Sequence, residues 1–110
     1  MQLDFKNDKL KILANSQKKL TVQFGKRIAE KVMMRLAFLS AAPTLADVPT
    51  TPPYSRHKLL GDRKEQFAVE IIGRKHPDRI AFEPIGVTKD ELADLRNVKA
   101  IKIMEIGDYH

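Results

Sequence analysis

The 110-residue chain has no cysteine and no tryptophan, and only two tyrosines and three histidines. Without cysteine there is no disulfide, no thiol nucleophile and no thiolate zinc site, which suits a reducing compartment. Long apolar runs are missing too. The richest stretch, Leu36 to Ala46, is broken by Ser40, Pro43 and Thr44 and falls short of the ~20 residues that span a bilayer, so no membrane partner is expected. The opening MQLDFKNDKL alternates charge with apolarity where a secretory signal needs a continuous apolar stretch, and the expected location is the cytoplasm. Walker-type and dinucleotide-type glycine loops are absent. His57, His76 and His110 do not have the i, i+4 spacing of a helical metal pair. Neither a cofactor nor a metal is expected.

What is present is a globular composition, and residues 1–110 are short enough to be expected as a single domain. The charge is strongly segregated. Residues 1–40 carry nine basic groups against three acidic, 41–53 a single acid, 54–80 seven basic against four acidic, and 81–110 four basic against six acidic. Clustered cations of this kind suit a polyanion such as RNA, or an acidic protein, and equally a solvated helix face.

From Gly25 to Ala41 the residues Ile28, Val32, Leu36 and Leu39 recur at helical spacing, with Lys26, Arg27, Lys31 and Arg35 around them, so a long basic amphipathic helix is expected. Leu3, Leu10 and Leu13 mark a shorter helix before it, and residues 15–19 read as the connection of a helical hairpin. Residues 43–53, PTLADVPTTPP, form an irregular link. Beyond it, residues 54–60 read as a weak strand ended by a Gly61–Asp62 turn. Gln66 to Ile71 alternates with period two, GRKHPD supplies a hairpin loop, and residues 79–83 alternate again up to Pro84. Thr88 and Glu91 have capping-box spacing, which predicts a short inserted helix over TKDELADL, and residues 100–106 return as a strand. The expected class is α+β, an N-terminal helical hairpin packed on a twisted, mostly antiparallel sheet of about four strands.

The residues with chemical potential gather around the Gly61 turn (His57, Lys58, Arg63, Lys64), at Arg79 opening a strand, and in the closing Asp108, Tyr109 and His110. The run HKLLGDRKEQFAVEI, the strand RIAFEP and the ending IKIMEIGDYH, preceded by KRIAEKVMMRL, resemble the HigB-type killer proteins of the RelE/ParE toxin superfamily, known from plasmid maintenance. The resemblance runs in order over nearly the whole chain. It implies a RelE-like toxin of a type II toxin–antitoxin module. Such a toxin is a ribosome-dependent, metal-independent mRNA endonuclease that inhibits translation, with the ribosome, mRNA and a small helix-turn-helix antitoxin as partners.

The family's catalytic or RNA-contacting positions carry over to His57, Arg79, Asp108, Tyr109 and His110. The clustered basic residues Lys58, Arg63, Lys64, Lys26, Lys31 and Arg35 are the expected RNA-binding cations. Leu60 departs from the pattern, because many members have a lysine directly before the glycine. The inserted 84–98 segment matches only a subset of the family. A non-nucleolytic protein of the same fold, gyrase-directed or retained only to bind its antitoxin, is the alternative.

The residue types fit such chemistry. RNA cleavage by the substrate's own 2′-hydroxyl requires one proton removed, one donated and stabilisation of the phosphorane. His57 and His110 are the histidines for proton transfer, Arg79 offers a planar fork for phosphate, Tyr109 can stack on a base, and Asp108 can orient a neighbour.

Overall fold

The computed structural model describes residues 1–63 and 65–108. The chain opens with strand β1 (Gln2–Phe5), followed by helices α1 (Asp8–Ala14), α2 (Gln17–Phe24) and α3 (Lys26–Ala41). Strands β2 (His57–Lys58), β3 (Phe67–Glu70), β4 (Arg79–Pro84) and β5 (Ala100–Gly107) complete a sheet ordered β1-β5-β4-β3-β2. β1 runs parallel to β5 and all other pairs are antiparallel. The α+β class therefore stands, with five strands in a mixed sheet and three helices among the described residues, rather than a hairpin of two.

The differences have local causes. Leu3, expected in a helix, lies on β1 and pairs with Ile101 of the interior apolar strand β5. The amino group of Met1 donates to the carbonyls of Leu39, Ser40 and Ala42, where the helix dipole of α3 favours positive charge. The expected connection over 15–19 shrinks to Asn15 and Ser16, because the Ser16 hydroxyl accepts from the Lys19 N–H at 3.1 Å and starts a new helix. Helix α2 buries only Leu20 and leaves Val22 exposed, so its apolar period is weak in the sequence. Gly25, at φ +85°, turns the chain directly from α2 into α3.

The core is one cluster. Ala29, Val32, Leu36 and Leu39 of α3 meet Val69, Ile80, Phe82, Ile101, Ile103 and Ile106 of the sheet. Alternation leaves Ala68 and Glu70 of β3, and Arg79 and Ala81 of β4, on the opposite sheet face. Met104 is the extra residue of a bulge, since Ala81 pairs with Glu105 and Phe82 with Ile103.

In the inserted segment the capping box forms, with the Thr88 N–H donating to Glu91 Oε1 at 2.9 Å and the Glu91 N–H to Thr88 Oγ1 at 3.2 Å. The expected helix does not continue. Residues Glu91–Ala93 and Leu95–Asn97 are separate 3-10 turns, because Asp94 caps the second by accepting from the Arg96 N–H at 3.0 Å. Among the described residues no helix is long and apolar enough to cross a membrane.

Candidate functional site

With Val32, Leu36 and Leu39 turned to the core, the helical period lines up Arg27, Lys31 and Arg35 along one flank of α3. This flank reaches the end of β3, where a cavity of about 970 Å³ opens against residues 50–57 and the β3–β4 loop. Arg27, Lys31, Arg35, Arg56, Arg74 and Arg79 line it together with His57, and Glu70 is the one carboxylate among the described lining residues. None of these six cations forms an ion pair with another described residue.

Arg35 holds the wall together. β2 is only two residues long, so the Glu70 N–H and C=O point past its end and need other partners. The Tyr54 carbonyl accepts from the Glu70 N–H at 2.8 Å, and Arg35 Nε donates to the Glu70 carbonyl at 3.1 Å. Arg35 Nη2 donates to the Ile71 carbonyl at 2.8 Å, and the guanidinium lies 4.9 Å from the centre of the Tyr54 ring, which stacks on Phe38. Arg35, expected among the RNA-binding cations, is 5% exposed and serves strand carbonyls. Helical spacing marks it as a flanking cation and cannot show that a strand ends beside it.

His57 is exposed on β2, opposite Ala68 of β3. Its Nδ1 lies 2.9 Å from the Ser55 carbonyl, which can only accept, so Nδ1 carries a proton and Nε2 is the nitrogen left to exchange one. Arg79 opens β4 between Glu70 of β3 and Gly107 of β5. Its fork closes the β3–β4 loop: Nη1 donates to the carbonyls of Gly73, His76 and Asp78, and Nη2 to that of Arg74 at 2.9 Å. Within that loop His76 Nδ1 accepts from the Asp78 N–H at 3.2 Å. Arg56 Nε donates to the Val48 carbonyl at 2.8 Å, and burial pulls its pKa below the ordinary arginine value.

The fold thus brings His57, Arg79, Lys31 and Arg35 to one cavity. Lys26 and Lys58 are exposed but lie outside its lining. Arg63, expected among the RNA-binding cations, pairs with Glu105 at 2.8 Å and donates to Gln66 Oε1 at 3.0 Å. Leu60 is 87% exposed. Asp108 is exposed and follows Gly107, the partner of Arg79. Lys64, Tyr109 and His110 lie outside the described residues.

Sequence reasoning did not single out Glu70, Arg56 and Arg74. The strand phase signals Glu70, which falls on the non-core face two residues after Ala68, whereas Arg56 and Arg74 are placed by irregular chain paths that leave no periodic trace.

Comparison with known proteins adds one observation about the fold. No family model matches the chain, and no curated protein does. Among solved structures, the chain is similar to a YoeB/ParE toxin from Agrobacterium tumefaciens, with a TM-score of 0.58 over 100% of both chains. The fold is shared with a toxin. At 11% sequence identity, that fold is what the two chains have in common.

Proposed function

We propose that this chain is the toxin of a type II toxin–antitoxin module, a HigB-like endoribonuclease that cleaves messenger RNA on the ribosome without a metal. The fold supports the toxin reading. The observation that carries the nuclease reading is His57, with Nε2 open, lining a cavity with six basic side chains and a single carboxylate among the described residues.

In this account Arg27, Lys31 and Arg74 neutralise backbone phosphates, and His57 transfers a proton at Nε2 while the Ser55 carbonyl holds its ring. Arg79 becomes the phosphate clamp when an anion, the stronger acceptor, displaces neutral loop carbonyls from its fork. Asp108 orients a neighbouring group, Tyr109 stacks on a base and His110 contacts the reacting nucleotide. Lys26, Lys58 and Lys64 extend the basic surface. The ribosome supplies substrate positioning, a small helix-turn-helix antitoxin neutralises the toxin, and both act in the cytoplasm.

Purified protein added to a reconstituted translation system is expected to cut translated message, with primer extension locating the ends, and to leave the same RNA intact without ribosomes. Rapid cutting of naked RNA overturns the ribosome dependence.

The second reading, a non-nucleolytic binding protein of the same fold, is favoured by the occupied fork of Arg79. It predicts growth arrest or antitoxin binding with messages intact.

A further inference from the structure

Glu70 is the group in the cavity that this reading leaves without a task. It is 6% exposed, yet its carboxylate makes no hydrogen bond or ion pair with any described residue. No side-chain oxygen that is fully cut off from solvent lacks a partner among the described residues, so the Glu70 oxygens keep some contact with solvent, and Glu70 is among the residues that line the cavity. A buried carboxylate left unpaired among six cations is unusual, since buried charges are ordinarily paired. Its backbone is fixed from both sides, by Tyr54 at its N–H and by Arg35 at its carbonyl.

The register places this carboxylate beside the histidine. His57 is directly opposite Ala68, and Glu70 is two residues further along the same face of β3. Diagonal neighbours of this kind stand ~7–8 Å apart, a separation that long side chains can span around one bound group. Across β3 and β4, Glu70 also faces Arg79.

We propose that Glu70 and His57 are the acid–base pair of the cleavage, with Glu70 taking the proton of the 2′-hydroxyl. The inference rests on the nuclease reading and adds a residue to it. The 2′ O–H bond breaks and its proton passes to the Glu70 carboxylate, while the 2′ oxygen bonds to the adjacent phosphorus. The bond from phosphorus to the 5′ oxygen breaks, and that oxygen receives a proton from Nε2 of the His57 imidazolium. The products are a 2′,3′-cyclic phosphate and a free 5′-hydroxyl, with neutral His57 and protonated Glu70 returning to their starting states by exchange with water. His110 is then a contact group and not the acceptor.

The test compares wild type with Glu70→Gln, Glu70→Asp and a chain lacking Tyr109 and His110, in ribosome-dependent cleavage and in binding to a single-stranded oligoribonucleotide. Glu70→Gln should lose about 10²-fold or more in cleavage rate while binding RNA about twofold or more tightly, because one negative charge leaves a cationic cavity. Tighter binding also shows that the variant is folded. Glu70→Asp should recover part of the rate. The acid limb of the wild-type rate–pH curve should vanish in Glu70→Gln and persist in the truncated chain.

A Glu70→Gln protein that cleaves at the wild-type rate overturns the inference and leaves the nuclease reading standing. Loss of RNA binding together with cleavage, without recovery in Glu70→Asp, makes Glu70 a structural residue and also overturns it. A wild-type protein that cuts no message, with or without ribosomes, overturns the nuclease reading and the inference with it.

Discussion

The cavity and the segment between β4 and β5 treat charge in opposite ways. In the segment, Glu91, Asp94 and Arg96 find their partners within the segment itself. The Asp94 carboxylate takes Arg96 Nη2 at 2.7 Å and Nε at 3.0 Å, and the side-chain hydrogen bonds from Arg96 hold its pKa down at about 2. Backbone and side-chain hydrogen bonds from Thr88 lower that of Glu91. In the cavity six cations converge without a counter-ion partner among the described residues, some donating to neutral carbonyls and none to a carboxylate. Charge neutralised in place shapes a loop. Like charge gathered without counter-ions leaves an anion to be supplied from outside.

The sharpest way to probe this contrast is Arg35, the most deeply buried of the cavity cations with structural tasks. Arg35→Met leaves the Glu70 and Ile71 carbonyls without their donor. It should destabilise the protein by ~2–4 kcal/mol in urea unfolding, the range for losing charge-assisted hydrogen bonds at a buried site. Lys26→Glu, at an exposed position on the same helix, should stay within ~0.5 kcal/mol of wild type. Equal effects would erase the distinction between the wall of the cavity and its solvated surroundings.

A middle-sized effect is expected from Arg27→Glu and Arg74→Glu, both at exposed positions. Each should flatten the dependence of log K on log salt for a single-stranded oligoribonucleotide, by ~0.7 for each phosphate that is no longer neutralised. An unchanged slope would show that these cations are merely hydrated.

The smallest effect belongs to Asp94→Asn. A carboxyl group whose folded pKa is depressed adds stability above its unfolded pKa of ~3.9 and loses it as pH falls toward about 2. An acid titration of thermal unfolding should therefore separate wild type from variant at pH 5 and above, modestly because the pair is exposed, and bring them together at about pH 2. RNA binding at neutral pH should not change, and a change there would break the comparison.

Period-two alternation at Phe67 and Val69, and again at Ile80 and Phe82, was legible as a hairpin because each apolar residue needs the core. The stripe of Val32, Leu36 and Leu39 was legible for the same reason. β1 was not, because a four-residue strand beside helix-forming residues takes its identity from a partner far along the chain, as Leu3 does from Ile101. The second helix was missed because its outer face carries Val22 and its inner face, Leu20 with a partly buried Phe24, is too short to show a period.

In the site, His57 and Arg79 could be named from the sequence, but the carbonyls that occupy the fork of Arg79 are backbone groups that no side-chain pattern reports. Glu70 was hidden by its alternation with core residues, which makes an outward strand position look like ordinary surface.

The central claim, that the cavity beside His57 cleaves RNA, is tested most directly by primer extension on ribosome-bound message treated with wild-type and His57→Ala protein. The account predicts cuts with wild type and a loss of ~10²-fold or more in the variant, with oligoribonucleotide binding and thermal stability close to wild type because His57 is exposed. A His57→Ala protein that cuts message at the wild-type rate would contradict it.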